Sequence, residues 1–243
     1  GFLDRARLSV DYYNIKVNDA IGVIGAQTLV QRREAGATEF CPLITRDPSG
    51  TILSVQDVLL NANALKTSGF DIEFDYSQPL GAYGDLSFRL LANIVQDLIT
   101  TDSAGSVDRA GQTGSRAGAL LGVPDYTLNG LLTWKHERGS ISLQGRYIPP
   151  GIFNVAFIGP DDPNYAVTLP NSVNNNRIPG RFYLDLAGQY VIKAAGTEFE
   201  LFGAINNLLD RDPPAMPSGN LGTNQVLFDP VGRAFKLGVR VRI

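Results

Sequence analysis

Side chains able to do covalent chemistry are few in this chain. His136 is the only histidine and Cys41 the only cysteine among 243 residues. A nucleophile with its base would rest on that one imidazole, which lies beside Lys135, Glu137 and Arg138 in a stretch that reads as a turn. No Gly-x-Ser-x-Gly elbow, phosphate loop or dinucleotide fingerprint occurs. Asp71 and Glu73 share one side of an alternating segment, but a two-carboxylate hydrolase needs a spacing that only a fold can set. Asp161, Asp162 and Asn164, between Pro160 and Pro163, offer oxygens to a calcium ion; without a central Gly or a distant bidentate Glu they read as turn residues. No catalytic residue, metal ligand or cofactor is expected, and enzyme is the poorer class. Two polar stretches remain as ligand-binding candidates: Asn171, Asn174, Asn175, Asn176 and Arg177, a tract suited to hydrogen-bonding a sugar or siderophore, and the first long loop with Arg46 and Asp47, which reads as a lid or gate segment. Solvation of ordinary loops competes with that reading at both places.

Composition narrows the classes further. With 21 basic and 24 acidic residues, a net charge of -3 and no Lys/Arg run, the chain lacks the electrostatic footprint of a nucleic-acid binder. Charged residues make up 19% while Gly (26) and Pro (14) are plentiful, which argues against a charged helical protein and against disorder. One cysteine allows no internal disulfide and no cysteine metal cluster. Cys41 is left to pair with a cysteine of a longer chain in an oxidising compartment, or to stay a thiol. No run approaches the roughly 18 apolar residues of a spanning helix, which leaves a membrane barrel open. Residue 1 is Gly and no basic-then-apolar segment follows it, so we expect a removed leader or a start inside a longer protein.

The elements that must carry these side chains are strands. Phe70, Ile72, Phe74 and Tyr76 alternate with Asp71, Glu73, Asp75 and Ser77, and Phe235 to Ile243 repeats the pattern. Six more segments alternate, starting near Leu8, Leu86, Tyr126, Ile141, Phe182 and Phe199; the first drifts in phase near Asn14. About eight strands result. Three connections are short and contain Gly, at 78–84, 136–140 and 193–197. The others are long, at 21–68, 102–124, 154–180 and 210–231, and the first holds a small hairpin turning at Asp47-Pro48-Ser49-Gly50. Up-and-down order puts all short turns at one end and all long loops at the other. That asymmetry, aromatics near strand ends (Tyr12, Tyr76, Tyr126, Trp134, Tyr147, Phe182, Tyr190, Phe235) and a polar second face lead to an all-β, antiparallel transmembrane β-barrel segment. Its lumen side would carry Arg89, Asn93, Arg146, Asp185, Gln189 and Arg240, with Arg242. A soluble eight-stranded binding protein with the apolar face inward, and a self-contained small outer-membrane barrel acting as adhesin, structural protein or lipid-modifying enzyme, share the alternation.

Four stretches in order carry a resemblance: Ser9 to Val17 (SVDYYNIKV), Lys66 to Glu73 (KTSGFDIE), Asn206 to Arg211 (NNLLDR) and Phe228 to Arg233 (FDPVGR). Over essentially its whole length the chain resembles the TonB-dependent outer-membrane receptors, specifically the C-terminal part of their 22-stranded barrel. The resemblance implies that residues 1–243 are one barrel portion, with the plug domain and earlier strands lying outside this chain. It implies active transport of a scarce nutrient (siderophore-iron, vitamin or oligosaccharide) across the outer membrane of a Gram-negative type bacterium, with work supplied by a TonB-ExbB-ExbD complex through the plug. The final residues resemble the signal read by the barrel-assembly machinery, with Lys236, Gly238, Val241 and Ile243 at its marked positions and Ile243 in place of the usual terminal aromatic. Lumen arginines would then meet an anionic ligand or acidic groups of the plug.

Overall fold

The computed structural model describes residues 3–23, 25–57, 59–102, 105–114, 122–169, 171–216 and 222–242. The strands are β1 (Ala6–Val23), β2 (Ile44–Arg46), β3 (Ile52–Val55), β4 (Leu59–Pro79), β5 (Asp85–Asp102), β6 (Gly105–Asp108), β7 (Tyr126–His136), β8 (Gly139–Ile148), β9 (Gly151–Ile152), β10 (Arg177–Ile178), β11 (Arg181–Ala194), β12 (Thr197–Asn206) and β13 (Ala234–Arg242); among the described residues one α-helix, α1, spans Ala26–Glu34. Eight of the strands form one wall in the order β1-β4-β5-β7-β8-β11-β12-β13, with β6 paired to β5 beside the path. Every neighbour in the wall is antiparallel. The sheet is open, since β1 and β13 lie at its two ends. The small hairpin expected around Asp47 is β2 and β3.

Cross-strand register turns the alternation into two chemically distinct faces. One row runs Ala6, Tyr76, Phe88, Leu132, Leu143, Leu186, Ile205, Phe235, one residue from each of the eight strands. The row begins near the short-turn end of β4 and finishes one residue inside the loop end of β13, so the strands are staggered as in a tilted barrel wall. Tyr126, Tyr147, Phe182 and Phe235 therefore lie at the loop ends of their strands and Tyr76, Trp134 and Tyr190 toward the turn ends, while Tyr12 and Phe70 share the row of Tyr126 through Ile94, part-way along the longer β1 and β4. Eight residues separate Tyr126 from Trp134 and Phe182 from Tyr190. At about 3.3 Å per residue and a tilt near 40°, the apolar band is about 20 Å tall, close to that of an outer-membrane barrel.

Two expectations change. β1, β4 and β5 have 18, 21 and 18 residues, well beyond the expected ten or so, and the first connection shrinks to 24–58. The phase drift at Asn14 is the boundary of the apolar band. Beyond Tyr12 the face that carried Leu8 and Val10 carries Asn14 and Lys16, and Ile15 and Val17 turn to the other side while pairing with β4 continues. A β-bulge in β5 opposite Ser68 and Gly69 falls at the same level. The backbone ladder needs no hydrophobic alternation to persist, which is why sequence pattern ended these strands early.

The short turns match the expected ones. Ala195 (φ 49°) and Gly196 (φ 81°) make a two-residue hairpin with both residues left-handed. Trp134 Nε1 donates to the Tyr83 carbonyl at 2.8 Å, and His136 Nε2 lies 3.1 Å from the Ala82 carbonyl while its ring stacks on Trp134, so the sole histidine joins two neighbouring turns. A single-layer wall has little interior. The buried apolar cluster of Ile148, Phe153, Ile178, Tyr183, Met216 and Phe228 sits at the loop end instead.

Candidate functional site

The polar face is built by the residues that alternate with the apolar rows. Arg89 lies between β4 and β7, pairing with Glu73 and approaching Asp75 at 3.7 Å. Asn93 donates to Asp71 at 2.7 Å. Arg240 meets Glu200 at 2.7 Å and stacks over the Phe202 ring, and Arg242 meets Glu198 at 3.1 Å. The Arg146 guanidinium stands 5.0 Å above the Tyr183 ring. Gln189 shares a row with Ser140 and Phe202. Arg89, Arg240 and Arg242 thus find their counter-charges on neighbouring strands of the wall itself; cross-strand pairs of opposite charge stand directly opposite on one face, a contact the one-dimensional pattern does not display. Glu73 is used in this way by Arg89, and Asp71 by the neutral Asn93 amide. Asp185 acts differently, its carboxylate accepting the Asn207 backbone N–H at 2.7 Å.

That bond anchors the NNLLDR stretch. Asn207, buried and left-handed at φ 49°, accepts from Arg211 N–H at 2.9 Å and donates Nδ2–H to the Arg211 carbonyl at 3.0 Å. Asp210 then takes the Arg233 N–H at 3.1 Å and its guanidinium at 3.5 Å, closing the base of the loop before β13. Of the suggested assembly residues, Lys236 lies on the polar face and Val241 on the apolar one. Gly238 lies under Phe202, whose ring would overlap an added Cβ. Ile243 lies outside the described residues.

Three long loops interlock above the polar face. The backbones of Thr113 and Gly114 donate to Ile152 O at 2.9 and 3.2 Å, Gln112 accepts Val155 N–H at 3.0 Å, and Asn224 Nδ2 donates to Thr113 O at 3.0 Å. Asn176 binds the backbones of Asn154 and Phe157. Tyr183, on the polar face with Arg146, takes the Asp229 N–H on its hydroxyl at 3.2 Å. The loop core therefore stands on the charge-bearing side of the wall.

Against this core lies a recess of about 600 Å³ lined by Phe157, Tyr165, Val173, Met216 and others. Asn174, Asn175 and Arg177 line it too, so three of the loop residues expected from the sequence meet in one place. Arg46 and Asp47 are elsewhere, in the first loop. Arg46 donates to Gly50 O at 2.8 Å and meets Glu34 at 3.3 Å. Asp47 accepts from Ser49 Oγ, Ser49 N–H and Thr51 N–H at 2.6 to 2.9 Å. These bonds, that of the Ser49 hydroxyl first, hold its carboxyl below the usual value of 3.8. Asp162 caps Asn164 N–H at 2.8 Å, the turn role expected of it. Cys41 is an exposed free thiol. Tyr165, Phe157 and Met216 had no signal of their own in the sequence, because the recess joins segments about 40 residues apart whose only mark is the Asn-rich tract.

A family model described as TonB dependent receptor-like, beta-barrel, matches residues 1–208. The chain belongs to that family. Three solved structures share its fold. The FrpB iron transporter from Neisseria meningitidis, F3-3 variant, superposes with a TM-score of 0.52 at 16% identity, over 97% of this chain and 29% of that one. The F5-1 variant gives 0.54 at 14% identity in its apoprotein form, over 97% and 28%, and 0.51 at 15% in a further structure, over 97% and 29%. The chain thus spans under a third of those transporters. No curated protein matches the sequence.

Proposed function

We propose that the protein bearing this chain is a TonB-dependent active transporter of the outer membrane, taking up a scarce nutrient, and that these residues are part of its barrel wall and ligand-capturing loops. The observation that carries the reading is a continuous apolar face across eight strands, backed by a face of paired charges on which an interlocked loop layer stands. Every backbone polar group in a bilayer needs a partner, so the free edges of β1 and β13 call for further strands of the same barrel. A plug outside residues 1–243 would meet the TonB-ExbB-ExbD complex, and β13 would be read by the barrel-assembly machinery. The superposed transporters are named for iron, which makes siderophore-iron the first nutrient to test, ahead of a vitamin or an oligosaccharide.

The test feeds cells one limiting nutrient at a time, as radioiron chelates, cobalamin or oligosaccharides, with the receptor or TonB deleted. Accumulation lost equally in both deletions supports the reading. Accumulation of all three classes that is indifferent to deletion of the receptor overturns it.

A further inference from the structure

We propose that the recess beside Arg177 is a capture site for an organic anion with an apolar body; this deepens the transport reading and rests on it. Its floor is apolar, formed by Phe157, Val173 and Met216 with the Tyr165 ring, and its volume of about 600 Å³ suits a ligand of drug-like size. Its polar rim is biased toward donation. Asn174 Oδ1 is occupied by the Tyr165 hydroxyl at 3.0 Å, and Asn175 Oδ1 by the Arg177 N–H at 2.9 Å. Both amides therefore turn an engaged oxygen to the protein and keep their NH2 groups for a ligand. The Arg177 guanidinium has no ion-pair or hydrogen-bond partner among the described residues, whereas Arg46, Arg89, Arg240 and Arg242 all have carboxylates. No lining residue is acidic among the described residues. One uncompensated planar cation and two oriented amides above an apolar floor select a carboxylate or similarly acceptor-rich anion over a neutral sugar.

The probe is 2-naphthoate, with neutral 2-naphthamide as its isostere, titrated calorimetrically into the whole detergent-solubilised receptor. We expect saturable binding of the carboxylate, at least about tenfold weaker binding of the amide, and a similar loss in Arg177→Gln, since a charge-assisted hydrogen bond is at stake. Asn174→Asp keeps the oxygen facing Tyr165 and replaces the donor with an anion, so it should weaken the carboxylate by at least as much without touching the fold; heat-modifiable gel mobility checks that both variants remain folded barrels. Equal binding of the two probes, no saturable binding of naphthoate, or full affinity in folded Arg177→Gln would each overturn the anion site. Nutrient uptake that still requires receptor and TonB in those cases would leave the transport reading standing, so the two failures are distinguishable.

Discussion

Leu90 and Leu91 are chain neighbours on β5 that face different solvents, and an arginine at each position separates the membrane wall from a soluble barrel. Leu90 is flanked by Phe74 and Gly130 on the apolar face, midway between the rows of Trp134 (Leu86) and Tyr126 (Ile94). Four residues at about 3.3 Å, tilted near 40°, put it about 10 Å from either aromatic boundary, close to the bilayer centre. Leu91 is flanked by Glu73 and Asn129 on the polar face and is 42% exposed. Leu90→Arg should cost about 2–4 kcal/mol, the usual penalty of arginine on the lipid face at the midplane. Leu91→Arg should cost nothing or gain a few tenths of a kcal/mol through Glu73, roughly the value of an opposite-charge cross-strand pair. The assay is denaturant unfolding of the whole receptor in lipid vesicles, scoring the folded fraction by gel mobility. A Leu91→Arg penalty equal to or above that of Leu90→Arg would refute the reasoning, because it would place water on the apolar rows and the core on the other side.

Three further outcomes test the loops and the last strand. Asn207→Ala should speed hydrogen exchange of amides 208–211 by the equivalent of about 3 kcal/mol, from two lost hydrogen bonds of about 1 kcal/mol each and a left-handed alanine; Asn207→Asp, which keeps the acceptor, should lose clearly less, and equal exchange in the two would reject the account. Gly238→Ala should destabilise the last hairpin by about 1–3 kcal/mol by displacing the Phe202 ring. The Phe202→Ala background should remove that cost, whereas a defect persisting there would assign Gly238 to assembly rather than packing. Asp47 has a folded pKa below 3.8, so its contribution is complete above that value and is lost as pH falls through the folded pKa. The 44–55 hairpin, followed by amide exchange, should loosen in acid below about pH 4, and an unchanged acid profile in Asp47→Ala would contradict the assignment.

Much of the wall was legible because barrel strands write their environment into period 2. Phe70 to Ser77 announces a strand and both of its faces, and the hairpin at Asp47 to Gly50 follows from side-chain and glycine turn chemistry. The ends were not legible, since Asn14 to Val23 keeps its ladder with β4 after the regular apolar alternation has ended. The loop site was half legible. Asn174, Asn175 and Arg177 stood out as polar, but Phe157, Tyr165 and Met216 look like ordinary loop residues until the chain folds back.

Residue order is enough to specify the wall: which residues alternate, how many strands there are, and which connections are short all depend on nearest neighbours and on the solvent at each face. Partners are settled by the fold. Whether Arg89 is free for a ligand or neutralised by Glu73, and whether Arg177 is left open, depends on cross-strand register and loop packing. Coulomb attraction and hydrogen bonds act over a few ångströms of space, whatever the separation along the chain.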